Sequence, residues 1–229
     1  MKSKCDCIIP FYNEGNRIIH VIDSILKITN LFKIIIVDDG STEAITYQKL
    51  KKKFSNKIIL LKLNINQGKA DAIKKGLEFV QSNYCLLLDG DLTNIKSYEL
   101  NNALNKILFN PAIDMIILRR VDDITSNAWA RQDIVTSGQR ILKTSDLINV
   151  FQGSFSNYQL EVAINAYMTK QNKTVYWMPF SIHGPLRTEK WGFKNGLKKF
   201  LNSFIGYFRH RLVGQFIWQT MFFCKKEAP

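Results

Sequence analysis

A chain of 229 residues, 46% hydrophobic and 22% charged, is long enough for one sizeable core with room for an appendage. Its composition excludes intrinsic disorder and a bundle of membrane-spanning helices. Thirty-two Lys and Arg against nineteen Asp and Glu leave a formal net charge of +13, which calls for an acidic partner: nucleic acid, an anionic membrane surface or a phosphorylated ligand.

The amino-terminal MKSKCDCIIPFYNEG has a basic start but an apolar core of only a few residues, so no secretory leader is expected. Cys5, Cys7, Cys85 and Cys224 contain no Cys-x-x-Cys pair and are read as small buried thiols of a reducing compartment, with zinc unlooked for. Along the chain, CDCIIP predicts a strand, residues 16–29 an amphipathic helix, FKIIIVDD a strand, 43–54 a helix and KIILLKL a strand. A helix over 68–81 follows, with Ala70, Ile73, Leu77 and Val80 on one face, and then the strand YCLLLDGD. Runs of Ile, Leu and Val without polar alternation belong to parallel strands covered on both faces, so the rhythm predicts a doubly wound, mostly parallel α/β sheet.

The second half is less regular. A strand over 113–118 leads into Arg119 and Arg120, the loop VDDITSNAWARQ carries Asp122, Asp123 and Arg131, and helices are expected over 131–143 and 158–168. KTVYWMPFSIHG predicts a strand ending at His183. Beyond it, residues 187–229 hold nine Lys or Arg and two Glu, net +7, with ten aromatics. There Leu197, Phe200, Leu201, Phe204, Phe208 and Leu212 trace an apolar helical face opposite Lys194, Lys198, Lys199 and Arg209. The following LVGQFIWQTMFFC is 13 residues long, short of the roughly 20 that cross a bilayer. One domain over 1–190 with a basic, aromatic, amphipathic helical tail over 191–229 is the expected organisation.

Ligands of doubly wound sheets bind beyond the carboxyl ends of the strands, and polar clusters stand at those ends. Pro10, Tyr12, Asn13 and Glu14 follow the first strand, Asp38, Asp39, Gly40, Ser41 and Thr42 the second, and Asp89, Gly90 and Asp91 the fourth. Neither the dinucleotide glycine fingerprint nor a P-loop follows any strand. Two carboxylates one residue apart repel each other unless a cation or a donor lies between them, and one hard divalent cation held there neutralises a diphosphate.

CIIPFYNEG, IIIVDDGST, NQGKADAIKKGL and LLLDGDL, in this order and spacing, resemble glycosyltransferase family 2, with its GT-A (Rossmann-like) fold and Asp-x-Asp motif. SGQRILK, YQLEVAINAY and PFSIHGPLRTEKWG are similar to the acceptor half of members related to dolichyl- or polyprenyl-phosphate sugar synthases. The resemblance implies a nucleotide-sugar half over 1–110 and an acceptor half over 111–190. Pro10, Tyr12 and Glu14 would line the nucleoside pocket, Asp38 or Asp39 would meet base and ribose, and Gly68, Lys69, Asp89 and Gly90 would approach the nucleotide and its phosphates. Asp91, aided by Asp89 and with His183 as a further ligand, would hold magnesium or manganese. The chain departs from some polyprenyl-phosphate members in carrying Thr93 where they carry Gln. It also lacks the Glu-Asp pair that often supplies a base, which leaves Glu161 and Asp123 as candidate bases.

A lipid-phosphate acceptor attacks the sugar C1 without deprotonation and needs cations instead, for which Arg119, Arg120, Arg131 and Arg140 are candidates. The expectation is therefore an inverting, metal-dependent enzyme, cytoplasmic and peripheral on the inner face of the membrane, using a UDP- or GDP-sugar and touching anionic lipid through residues 194–224. A soluble or cell-envelope polysaccharide acceptor is the alternative. Nucleic-acid binding is more distant, because the acidic strand ends would repel a phosphate backbone in the cleft the fold offers.

Overall fold

A computed structural model describes residues 4–120, 132–153, 160–182 and 213–229. The first half alternates β1 (Cys5–Phe11), α1 (Arg17–Ile25), β2 (Leu31–Asp38), α2 (Ala44–Phe54), β3 (Ile59–Lys62), α3 (Lys69–Leu77), β4 (Tyr84–Leu87) and α4 (Ser97–Phe109). The second half contributes β5 (Met115–Arg120), α5 (Gln132–Val135), β6 (Arg140–Lys143), α6 (Thr144–Gln152), α7 (Leu160–Lys170), β7 (Val175–Phe180) and α8 (Val213–Phe222).

The strands form one seven-stranded sheet in the order β3-β2-β1-β4-β6-β5-β7. Every pairing is parallel except those of β6, which runs antiparallel to both β4 and β5. Strand alternation divides the core into two layers. Cys7, Ile9, Ile34, Ile36, Leu86 and Ile116 face α1, α2 and α4, whereas Ile8, Ile35, Val37, Cys85, Leu87 and Ile117 face α3, α5, α6 and α7. The central strands β1 and β4 are buried along their whole length, which is why they read as apolar runs without polar alternation. All four cysteines are buried and none forms a disulfide among the described residues, and burial pushes the thiols of Cys5, Cys7 and Cys85 well above their ordinary range, leaving those three unreactive packing groups.

The expected helix over 131–143 is corrected: only Gln132–Val135 is helical, and Arg140–Lys143 is the antiparallel strand β6. Gly138 weakens a helix interior, and Ser137 turns its hydroxyl to the Leu118 carbonyl at 2.9 Å and not to a helical turn. The described part of the expected tail is docked on the domain. Phe223 and Cys224 join the second core layer, buried Gln219 donates to the Val162 carbonyl at 3.1 Å, and the Trp177 N–H donates to the Lys226 carbonyl at 3.1 Å. The apolar face expected between Leu197 and Leu212 lies outside the described residues. Among the described residues, no helix is long and apolar enough to cross a membrane.

Candidate active site

The parallel strands β1, β2 and β4 end at one edge of the sheet, and the antiparallel β6 begins there. The loops at that edge are sewn together by short hydrogen bonds. The Asp39 N–H donates to the Phe11 carbonyl at 2.9 Å, the Asn13 N–H to Ser41 Oγ at 2.9 Å, and the Thr42 N–H to Asn13 Oδ1 at 3.0 Å. Gly90 lies so close to β1 that a Cβ there would stand 2.8 Å from Phe11 Cβ and 2.9 Å from the Pro10 carbonyl. Asp89 and Asp91 are thereby held beside the end of the first strand.

The two adjacent aspartates after β2 have separate duties. Asp39 accepts the N–H groups of Gln67 at 2.8 Å and Gly68 at 2.9 Å, fixing the loop that launches α3. Burial raises its carboxyl above the ordinary value, against the opposing pull of those two amides. Asp38 spends one oxygen on the Ser41 N–H at 2.8 Å. Its other oxygen, Oδ2, is buried and has no hydrogen-bond partner among the described residues. A buried, unsatisfied carboxylate oxygen is costly and is relieved by a donor such as a base N–H or a ribose hydroxyl. Tyr12 is half-buried beside this loop. Glu14 is buried, and its Oε2 lies 3.0 Å from the Arg17 guanidinium at the start of α1.

Lys69 is the centre of the constellation. As the first residue of α3, it brings its ammonium 2.7 Å from Asp89 Oδ1 and 2.9 Å from Glu161 Oε1 on α7. Burial alone would lower its pKa, but the two carboxylates outweigh that and hold the ammonium above its ordinary value. Asp89 Oδ2 accepts from the Gln139 side-chain amide at 2.6 Å, so both oxygens of this carboxylate have donors. Gly138 makes room for the cluster: a Cβ there would lie 2.3 Å from Lys69 Nζ and 3.0 and 3.1 Å from the Asp89 oxygens. Gln139 and Gly138 were not expected at the site, because the helix reading of 131–143 hid that a strand starts at this edge. The Gly138-Gln139 step was the available signal.

The arginines divide. Arg140 is fully buried and is corrected from an acceptor contact to an internal tie. Its guanidinium donates to the Ser137 carbonyl and to Asn165 Oδ1, the latter at 3.0 Å, and burial draws its pKa down to about 10 despite nearby Glu161 and Asp89. Arg140→Leu would strand both acceptors and is expected to destabilise the fold by about 2–3 kcal/mol, read as a lowered urea midpoint. Arg119 is ion-paired with Asp133 of α5 and lies 5.1 Å from the Trp177 ring centroid. Arg120 ends β5, half-buried. Asp123, Arg131 and His183 lie outside the described residues.

Carboxylate oxygens suit a hard divalent cation. Among the described residues, no three His, Cys, Asp or Glu are grouped to hold one unaided. Asp91 is half-buried and next but one to Asp89, so the two carboxylates of this turn are of the type that suits such a cation.

Three polar strand ends, a lysine bridging two carboxylates and an Asp-x-Asp turn stand together at one edge of a GT-A α/β sheet. The chain belongs to glycosyl transferase family 2, whose model matches residues 6–227. It is 34% identical over 114 residues to a dolichyl-phosphate beta-glucosyltransferase of Dictyostelium discoideum, covering 44% of this chain and 35% of that protein. It is 32% identical over 95 residues to a protein of the same description from Saccharomyces cerevisiae, covering 37% of this chain and 28% of that one. The matched segment thus spans about a third or less of these relatives. The fold is shared with a mannosyltransferase of Pyrobaculum calidifontis solved with GDP-Man and Mn2+, at TM-score 0.72 and 14% identity over 93% of this chain and 65% of that one. It is also shared with a glucosyl-3-phosphoglycerate synthase of Mycobacterium tuberculosis solved with Mn2+ and UDP, at TM-score 0.64 and 14% identity over 88% and 80%.

Proposed function

We propose that this chain transfers a sugar, with inversion at the anomeric carbon, from a UDP- or GDP-sugar to a polyprenyl phosphate or other lipid-linked phosphate at the inner face of the cytoplasmic membrane. The observation that carries the reading is Lys69 bridging Asp89 and Glu161, with Gln139 on the second Asp89 oxygen, inside a family 2 chain.

The nucleoside is received by the loops after β1 and β2, where the unpaired Asp38 oxygen accepts from base or ribose and Tyr12 offers a stacking plane. The Lys69 ammonium, permanently charged between its carboxylates, offsets diphosphate charge. An acceptor phosphate oxygen attacks C1, the bond from C1 to the diphosphate oxygen breaks, and its electron pair leaves with the nucleoside diphosphate. The attacking oxygen is already anionic, so no base is required and Glu161 is left to anchor Lys69. Magnesium or manganese, held by Asp91 with Asp89, would supply Lewis-acid stabilisation of the leaving diphosphate. Arg119 and Arg120, at the end of β5, are the described arginines that remain for the acceptor phosphate.

The lipid acceptor is supported by the two dolichyl-phosphate beta-glucosyltransferase relatives, and the metal and nucleotide by the ligands of the two structural neighbours. Membrane contact is supported by the outer face of α8, where Ile217, Trp218, Met221 and Phe222 are exposed, with the exposed Lys225 and Lys226 beyond the buried Phe223 and Cys224, an apolar and basic pairing suited to an anionic leaflet.

The test is release of nucleoside diphosphate from a panel of UDP- and GDP-sugars with Mn2+, with and without undecaprenyl or dolichyl phosphate in anionic vesicles. Turnover confined to the lipid-phosphate arm is the expected result. Turnover that ignores the lipid and responds to soluble saccharides would transfer the reading to a polysaccharide acceptor, with Glu161 or Asp123 as base.

A further inference from the structure

Asp89 has a dual character in the proposed reaction. It belongs to the carboxylate pair that receives the cation, yet both of its oxygens are occupied by donors of the chain itself. Lys69 Nζ stands 2.7 Å from Oδ1 and the Gln139 amide 2.6 Å from Oδ2. The lysine is no casual surface partner, because Glu161 holds it from the far side at 2.9 Å and Asp39 fixes the two backbone amides just before it. The segment just before β6 has a glycine, Gly138, where any side chain would strike the ammonium, 2.3 Å from the position of a Cβ. Four separate elements, the loop after β2, the loop after β4, the start of β6 and the start of α7, thus converge to keep one positive charge on Asp89.

We propose that Lys69 is an internal counter-cation that competes with the divalent metal for Asp89, so that metal is admitted together with the nucleotide diphosphate and poorly without it. The inference rests on the metal-dependent reading above. An ammonium within contact distance of a carboxylate disfavours a second cation on the same group, both by charge repulsion and by occupying the oxygen. A diphosphate reverses this, because its oxygens offer Lys69 an alternative anion and release Asp89. Nucleotide and metal then raise each other's affinity by the same factor, as linkage requires. The arrangement makes the charge of the cleft self-balanced before the donor arrives, and it ties assembly of the charged centre to the presence of the molecule that is to react.

Two variants of the full chain separate this role from a structural one. Lys69→Met removes the charge at nearly constant volume. Gly138→Ala keeps the charge, and its added Cβ, 2.3 Å from the ammonium and 3.0 and 3.1 Å from the Asp89 oxygens, wedges the ion pair apart. Binding of Mn2+ alone is measured by paramagnetic resonance of the free ion, then again with UDP and with GDP after correction for metal held by free nucleotide, and thermal melts establish that each variant is folded. For Lys69→Met, Mn2+ alone is expected to bind about tenfold more tightly than to the parent, and the gain conferred by nucleotide is expected to shrink correspondingly. Gly138→Ala should move both quantities in the same direction by a smaller factor. Unchanged or weaker Mn2+ affinity in the folded variants would overturn the counter-cation role while leaving metal-dependent transfer standing. A parent chain that binds no Mn2+ with either nucleotide would overturn the metal reading itself, and this inference with it.

Discussion

Asp91→Asn is expected to leave the protein folded and to lower sugar transfer by roughly 10²- to 10³-fold, the range lost when one group that stabilises developing charge is removed from a site. The side chain is half-buried at the carboxyl edge of β4, and the substitution keeps its size while removing the charge and turning one acceptor oxygen into a donor. An unchanged melting temperature with a large fall in initial rate is the signature. A folded Asp91→Asn protein with full activity would remove Asp91 from the role of metal holder. Removal of Asp89 would in addition release Lys69 and Gln139, which it holds.

The opposite outcome is expected of an acid in the first strand. Asp6, set between two cysteines in β1, is completely buried. It accepts four hydrogen bonds, from the N–H groups of Lys33 at 3.0 Å, Gln81 at 2.7 Å and Ser82 at 3.0 Å and from the Ser82 hydroxyl at 2.8 Å. It ties β1 to β2 and to the turn before β4 at the amino edge of the sheet, away from the cleft. Asp6→Ala would leave those donors buried without a partner, at a cost of about 3–5 kcal/mol. Against the 5–15 kcal/mol typical of a domain, that is a severe loss. The expected measurement is a large drop in the urea midpoint, with Asp6→Asn intermediate because one acceptor oxygen survives. An Asp6→Ala midpoint equal to the parent's would show that these bonds contribute nothing net.

Asp6 and Asp91 illustrate what strand position does to a carboxylate. At the amino edge, acids are spent on holding loops to the sheet, and Asp114 at the start of β5 repeats the pattern with Lys143 Nζ at 2.7 Å and the Thr174 N–H at 2.8 Å. At the carboxyl edge, strand ends splay and leave backbone and side-chain groups for a ligand. The same logic separates Asp38 from Asp39. Identical neighbours in the chain, they face different surroundings, one with a buried unpaired oxygen and the other committed to two backbone amides.

The doubly wound first half was legible in the sequence alone, because each apolar run there is a strand and each amphipathic stretch a helix, signals that depend only on local periodicity. The sequence also determined which loops carry the polar clusters, since strand ends follow from strand positions. Only the tertiary structure decided what depends on residues far apart in the chain. That Lys69 meets Glu161, 92 positions away, follows from α3 and α7 lying on the same face of the sheet. Arg140 became an internal tie because 140–143 pairs between β4 and β5, which buries it completely. Gly138 and Gln139 entered the cleft for the same reason: an antiparallel strand begins where its parallel neighbours end, and no local pattern announces the direction in which a four-residue strand will run.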